Sequence, residues 1–358
     1  MKKVIIVTGG SGGHVIPALS IFDHLKENFE AEIVTDNRGR RFVNKSDYKF
    51  SLIDVPNLFT NLYLLPLNII KFLISIIKSL FYLKKGNFNI LISTGGYMSI
   101  PFCIASYLLN IKIILFEPNS VLGRANNFIL KFSKKIICYD YNLKLFPEKY
   151  KNKIFLSDSI LRKEIYFIKK NENKNFSFRK KLLIIGGSQG AKFFDNNIIH
   201  LISKLSENIN IELYQQVLDD NQKKIIEKKY DDLKIKNKLF KFEENLFKEY
   251  SNFDLAITRS GASAISELSY FNVPFIAIPF PHAKDNHQLY NAKYYADQNS
   301  CWILNQKDYN LNKLNDFIIN LFNKKSDYFE KKNNLSKITN QNTWNNINKK
   351  LIDLINEN

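Results

Sequence analysis

The chain has 358 residues, 45% of them apolar, which is enough for two domains with real cores. Its net charge of +18, from 52 basic and 34 acidic side chains, implies an anionic partner, although scattered lysine in an Asn-, Ile- and Phe-rich chain makes part of it compositional. Three isolated cysteines (Cys103, Cys138, Cys301) exclude a disulfide framework and a cysteine metal site, and the apolar run after Met1 is too short for a signal peptide, so a reducing cytosolic compartment is expected.

Val4-Ile5-Ile6-Val7 reads as a buried parallel strand, and Ala18 to Leu25 has helical periodicity. Between them lies Thr8-Gly9-Gly10-Ser11-Gly12-Gly13-His14. A strand, a glycine loop and a helix N-terminus together make an anion site, because free N–H groups and the helix dipole favour negative charge. His14, at the loop's exit, is the side chain suited to take a proton near neutral pH. The dinucleotide pattern G-x-G-x-x-G fails at Val15, and no Walker Lys-Ser/Thr follows, so a tight turn carrying a solvated His stays open. A second strand is expected over 31–36. Without the third glycine, its Asp36 is weak support for a ribose-binding acid.

Residues 58–85 are nearly all apolar, with a helix expected from Pro66. Lys71, Ser75, Lys78 and Tyr82 fall at spacings of four, three and four, and so share one face. Asn68, Lys71 and Lys78 interrupt the roughly 20 apolar residues that a membrane span needs. Two readings remain: a core-packed helix, or a helix whose outer surface, around Ile69, Phe72, Leu73, Ile76, Ile77 and Leu80, dips into an anionic membrane interface with Lys71, Lys78, Lys84 and Lys85 nearby.

Strands follow at 90–94 and 112–116, leading into Gly95-Gly96-Tyr97-Met98-Ser99 and Glu117-Pro118-Asn119-Ser120, with last strands at 135–139 and 153–156. The polar stretch 169–181 suggests the entrance to a second domain. There the opening recurs: Lys180 to Ile185 reads as a strand and Gly186-Gly187-Ser188-Gln189-Gly190 as its glycine loop. A strand over 254–258, the loop Arg259 to Ser263, a helix over 264–271 carrying Glu267, a strand over 274–279 and a polar loop through His282, Lys284, His287 and Gln288 come next. Helical periodicity returns over 341–358. The expected fold is α/β, with two Rossmann-like domains facing a cleft: residues 1–162, joined by a returning C-terminal helix over 341–358, and residues 163–340.

Five segments in order, TGGSGGHVIPAL (8–19), GGYMSIP (95–101), GGSQGA (186–191), TRSGASAISE (258–267) and PFPHAKDNHQLYNA (279–292), resemble the MurG-type glycosyltransferases over nearly the whole chain. The resemblance implies the GT-B fold, with the donor held mainly by the second domain. It implies inverting transfer of N-acetylglucosamine from UDP-N-acetylglucosamine to lipid I, undecaprenyl-pyrophosphoryl-N-acetylmuramyl-pentapeptide, in peptidoglycan synthesis. On matching positions, His14 takes the role of general base, and Ser11, Gly12 and Gly13 that of a donor-contacting loop. Asn119 and Gln288 match sugar contacts, Arg162 a cation near the nucleotide, and Ser188 a phosphate contact. Ala262, Ser263, Ala264, Ile265, Ser266 and Glu267 match the segment holding ribose and phosphates, and a backbone contact to uracil falls near Glu243. Where the family commonly has His-Glu-Gln-Asn, this chain has Phe116-Glu117-Pro118-Asn119.

Transfer needs no redox cofactor, and no Asp-x-Asp metal motif stands out, so neither metal nor cofactor is expected. Helix N-termini after Gly190 and around Ala262-Ser263 are expected to hold the pyrophosphate. The implied location is the cytoplasmic face of the inner membrane, peripherally attached to its anionic surface. Nucleic acid is not an expected partner, since no recognition motif accompanies the charge. The competing readings are a nucleotide-sugar epimerase or other transferase of the same fold, and a membrane-bound interaction protein that has lost catalysis.

Overall fold

The computed structural model describes residues 1–43, 47–56, 63, 65–170, 178–243 and 245–357, with the side chains of 188–191 also outside the description. The chain divides into two compact units, Met1–Tyr166 with Asn342–Asn358, and Phe167–Gln341.

The first unit is built on seven parallel strands: β1 (Lys3–Val7), β2 (Glu30–Thr35), β3 (Phe50–Leu52), β4 (Ile90–Ser93), β5 (Lys112–Glu117), β6 (Lys135–Cys138) and β7 (Ile154–Leu156). Their order is β3-β2-β1-β4-β5-β6-β7. The period of two explains why the central strands are apolar throughout. Val4 and Ile6 face one core with Ile33, Ile92 and Ile114, while Ile5 and Val7 face the other with Leu91, Leu115 and Phe102. Helices α1 (Gly12–Leu25), α2 (Leu65–Gly86), α3 (Ser99–Leu108), α4 (Arg124–Ile129) and α5 (Lys163–Tyr166) complete the crossovers.

The second unit repeats the design with β8 (Lys180–Ile185), α6 (Gly187–Ser206), β9 (Ile211–Gln216), α7 (Asp220–Asp232), β10 (Lys236–Phe240) and β11 (Leu255–Thr258), followed by α8 (Ala262–Tyr270), β12 (Phe275–Ala277), α9 (His287–Ala296), β13 (Trp302–Ile303), α10 (Leu311–Lys324) and α11 (Ser326–Thr339). Its parallel strands run β10-β9-β8-β11-β12-β13. The final helix, α12 (Trp344–Asn356), packs Ile347, Leu351, Leu354 and Ile355 into the first unit's core against α1. Its terminal carbonyls accept Lys112 Nζ at 3.0 Å (Leu354) and 2.6 Å (Glu357), and Lys2 Nζ at 3.2 Å (Ile355).

In each sheet the strand order reverses once, between β1 and β4 and between β8 and β11. Helices that cross to opposite faces leave a crevice at the carboxyl ends of such a strand pair, which is where open α/β sheets bind ligands. All four of those strand ends carry a glycine or small-residue loop.

Helix α2 departs from expectation. Its inward face is polar or small: Asn68, Ser75 and Ser79 are buried with Leu83, and Ser75 and Ser79 return their hydroxyls to the Lys71 and Ser75 carbonyls at 2.9 and 2.8 Å. The face expected to carry Lys71, Ser75, Lys78 and Tyr82 together is split, since Ser75 is buried and Tyr82 half-buried while both lysines are exposed. Phe72, Ile76 and Leu80 are half-buried, Phe72 against Tyr97 at 5.7 Å between ring centres. The outward stripe is instead Leu67, Ile69, Ile70, Leu73, Ile74, Ile77 and Phe81, the last 70% exposed. Leu83, with Leu80 and Tyr82 beside it, joins Phe102, Cys103 and Ala105 of α3 in one apolar cluster. Residues 58–62 and 64 of the same apolar run lie outside the described residues.

Candidate active site

After β1 the backbone turns through Gly10 at φ +85°, a conformation that favours glycine, and enters α1 with no side-chain cap from Ser11. Ser11 and Gly13 are exposed and Gly12 half-buried. The Ser11 carbonyl accepts the His14 N–H at 3.0 Å, which aims the imidazole towards the end of β4. There His14 Nδ1 donates to the Thr94 carbonyl at 2.8 Å. A carbonyl can only accept, so this contact assigns the proton to Nδ1 and leaves the Nε2 lone pair available as a base. The ring lies on Gly95 and Gly96, both with φ above +80°. A Cβ at either would stand 3.4–3.5 Å from the imidazole, so the bare backbone shapes the seat.

Glu117, buried at the end of β5, organises the neighbouring loop. Its Oε1 accepts Asn119 N–H at 3.2 Å and Asn119 Nδ2 at 2.9 Å, and its Oε2 accepts Gly123 N–H at 2.8 Å and Asn126 Nδ2 at 3.0 Å. Asn126 Nδ2 lies 3.5 Å from where a Gly95 Cβ would stand, so Asn119 is tied through Glu117 and Asn126 to the His14 seat. Phe116 is fully buried and meets Tyr139 edge-on at 5.7 Å. The departure from His-Glu-Gln-Asn is therefore a core substitution at 116, while the loop is held by Glu117. Arg162 belongs to another segment of this unit, half-buried just ahead of α5, with its carbonyl accepting Ile165 N–H at 3.0 Å.

In the second unit α6 begins at Gly187, earlier than the expected start after Gly190. Gly187 has φ +67° and donates its N–H to Gln216 Oε1 at 2.9 Å, so the turn is completed there. The backbone of Ser188 is in the first turn of α6, and its side chain lies outside the described residues. After β11, Gly261 precedes α8, whose first three residues, Ala262, Ser263 and Ala264, are half-buried, followed by buried Ile265, Ser266 and Glu267. A Cβ at Gly261 would meet nothing within 4 Å, so this helix start faces open space.

Gln288 joins that loop. Its backbone carbonyl accepts Ser260 Oγ at 2.7 Å and its Oε1 accepts Phe280 N–H at 2.9 Å, which leaves Nε2 as a donor without a partner among the described residues. Asp285 and Asn286 precede α9 in left-handed conformations (φ 52° and 54°), which Asp and Asn tolerate. Glu243 is separate, after β10, where Lys238 pairs with it at 3.1 Å and holds its carboxyl below the usual range.

Sequence reasoning missed the residues that hold these loops from behind. Arg259 is buried, donating to the Ile278 and Pro279 carbonyls at 2.9 and 3.1 Å and to Gln306 Oε1 at 2.7 Å, with Phe193, Phe194 and Phe280 around its guanidinium. Burial pulls its pKa down to about 10. Asp36 and Arg38 do the same behind the first glycine loop. The usable signal was a charged residue at the carboxyl end of an apolar strand, where burial demands partners.

Residues 4–138 match the glycosyltransferase family 28 N-terminal domain, and residues 181–350 the glycosyltransferase family 28 C-terminal domain. The UDP-N-acetylglucosamine–N-acetylmuramyl-(pentapeptide) pyrophosphoryl-undecaprenol N-acetylglucosamine transferase of Pelagibacter ubique is 45% identical, covering 100% of this chain and 99% of that protein. The protein of the same name from Rickettsia felis is 36% identical, covering 90% of this chain and 91% of its own. Acinetobacter baumannii MurG has the same fold, with a TM-score of 0.77 at 23% identity, covering 99% of this chain and 100% of that one. The UDP-GlcNAc 2-epimerase of Neisseria meningitidis, bound to UDP-GlcNAc, also shares it, with a TM-score of 0.66 at 12% identity over 99% of this chain and 100% of that one. The GT-B fold is thus common to transferases and epimerases, and the full-length sequence identity separates them. This chain belongs to glycosyltransferase family 28, among its MurG-type N-acetylglucosamine transferases.

Proposed function

We propose that the chain transfers N-acetylglucosamine from UDP-N-acetylglucosamine to lipid I, forming lipid II, with inversion in a single displacement. The observation that carries the mechanism is His14, pinned through Nδ1 to the Thr94 carbonyl so that Nε2 is the free base. Nε2 takes the proton of the attacking acceptor hydroxyl as its oxygen bonds the anomeric carbon. The bond from that carbon to the UDP oxygen breaks, and the diphosphate leaves with the electron pair. Developing negative charge on the diphosphate is met by the α6 and α8 N-termini with Ser188 and Ser263, and by Arg162. Glu267 accepts from the ribose hydroxyls, the segment near Glu243 meets the uracil, and Gln288 and Asn119 orient the sugar. Transfer from labelled UDP-N-acetylglucosamine to a lipid I analogue tests the reading. Consumption of the donor without any lipid acceptor would favour epimerase chemistry instead.

The acceptor's tail stays in the bilayer, and α2 offers the surface that meets it. An exposed stripe around Ile70, Leu73, Ile74, Ile77 and Phe81 is flanked by Lys71, Lys78 and Lys85 at heptad spacing, with Lys84 beside them. Each lysine near an anionic leaflet contributes about 1 kcal/mol, and the apolar stripe adds more. This supports peripheral attachment at the cytoplasmic face of the inner membrane. Sedimentation with anionic vesicles should fall at high salt, and fall again when Lys71, Lys78, Lys84 and Lys85 become Glu. Unchanged sedimentation of that variant would remove α2 as the docking face.

A further inference from the structure

Asp36 follows the second strand, in the place where dinucleotide-binding folds put a ribose-binding acid, yet it is turned inward and only 4% exposed. Its Oδ1 accepts the N–H of Gly10 at 3.0 Å and of Gly39 at 2.8 Å. Its Oδ2 accepts Arg38 Nε at 2.9 Å and Arg38 Nη2 at 2.8 Å. Glycines surround the carboxylate. A Cβ at Gly9 would stand 3.2 Å from Asp36 Cγ and 3.0 Å from Met98 Cβ, and one at Gly39 would collide with Thr35 Oγ1. Arg38 lies over the loop, its Nη2 3.7 Å from where a Gly10 Cβ would be. Burial pushes the Asp36 carboxyl up, but the two glycine amides and the guanidinium outweigh it and hold the carboxyl below its usual range.

We infer that Asp36 is a positioning residue for the transfer reaction, acting through Gly10 and the Ser11 turn to hold His14 on the Thr94 carbonyl. The chain of contacts is short. The carboxylate holds Gly10 in its left-handed conformation, the next residue's carbonyl starts α1 at His14, and the Gly9 carbonyl abuts Gly96 beneath the imidazole. An ionised group makes this brace stiffer than a neutral turn could, because charge-assisted bonds are shorter and stronger. The inference rests on His14 being the base of the proposed transferase.

The test is a cycle of Asp36→Ala, Asp36→Asn, His14→Ala and the double variants, read by single-turnover transfer to a lipid I analogue, by donor KM and by thermal unfolding. Asn can still accept both glycine amides but opposes Arg38 with its amide nitrogen. Asp36→Ala should lower the transfer rate about 10- to 100-fold, the size expected when a catalytic group is displaced by about 1 Å. Asp36→Asn should lower it less, and donor KM should stay within about twofold in both. On the His14→Ala background neither change should slow the reaction further, because residues acting as one unit are non-additive. A rate within twofold of wild type for Asp36→Ala, or an equal loss on the His14→Ala background, overturns the inference. If Asp36→Ala does not fold, Asp36→Asn carries the same cycle. A wild-type chain that fails to transfer at all removes the proposed function itself, a separate result.

Discussion

The two units open alike, with an apolar strand, a glycine loop and a helix, yet the two loops are braced differently. Behind the first loop stands a buried carboxylate that binds Gly10, Gly39 and Arg38. Behind the second stands a neutral amide, Gln216, that accepts Gly187 N–H and donates from Nε2 to the Lys241 carbonyl at 3.0 Å. The first loop delivers a titratable ring to a fixed carbonyl, and a base must be held to fractions of an ångström to take a proton. The second delivers backbone amides, and a diphosphate with many oxygens tolerates small shifts. In the proposed mechanism the first loop carries the base as well as the donor contacts of Ser11, Gly12 and Gly13, the second serves binding alone, and the stiffness of the brace tracks that difference.

The sharpest way to break that contrast is to remove the proposed base. His14→Ala should lower turnover by about 10²–10⁴-fold with little change in donor affinity. Turnover near wild type would make the first loop a binding loop like the second. Next in size is the donor side. Glu267→Ala should weaken UDP-N-acetylglucosamine binding by about 1.5–3 kcal/mol through lost charge-assisted hydrogen bonds. Equal calorimetric affinity in variant and wild type would take the ribose away from α8.

Strands and loops were legible because parallel strands buried on both faces must be apolar throughout, and loops at their carboxyl ends must be glycine-rich to turn. Leu255–Thr258 stood one residue inside its expected bounds, and Asp36 proved to lie just past β2. Four strands were not read: β9 (IELYQQ), an inner strand broken by polar residues, and three at sheet edges, β3, β10 (KNKLF) with exposed lysines, and β13, only two residues long. Short edge strands bury too little to leave a pattern. The outward face of α2 was hard to read because the helix is apolar nearly all round, while its buried side includes Asn68, Ser75 and Ser79 beside Leu83. Asp36 gave only weak support for a ribose-binding acid, and its actual role was hidden because two of its partners are the backbone amides of Gly10 and Gly39, which no sequence displays.

A smaller difference separates the units in acid. His24 is buried in the first unit, stacked on Trp344 of α12 at 3.7 Å between ring centres, with Tyr166 edge-on. Burial pulls its imidazole down to about 3, more than the nearby Asn348 side chain returns, and Lys163 lowers it further. The folded ring therefore stays neutral while the unfolded ring protonates near the ordinary value of about 6.5. Between those two pKa values the unfolded state binds the extra proton, so stability falls as pH falls, by at most about 1.4 kcal/mol per pH unit. In the second unit His200 and His282 are exposed and His287 half-buried, so none is buried as His24 is. His24→Phe keeps a ring against Trp344 and removes the proton. Its melting temperature should fall less between pH 7 and pH 5 than wild type's, and parallel curves would show that His24 does not carry the effect.

The smallest expected effect is at the second brace. Gln216→Ala removes one neutral acceptor from Gly187 N–H, at a site where both residues are half-buried. Water can replace the lost partner, so the cost should be that of one ordinary hydrogen bond, about 0.5–1.5 kcal/mol. The loss should appear in donor affinity, because in the proposed mechanism the amides of this loop bind the diphosphate and take no part in proton transfer. Turnover at saturating donor should stay near wild type. That pattern is the reverse of the one expected for Asp36→Ala, where the rate falls and donor KM holds. A Gln216→Ala variant that loses turnover at saturating donor would show that the second loop, too, is held for the chemical step, and the division between a stiff catalytic brace and a soft binding one would fail.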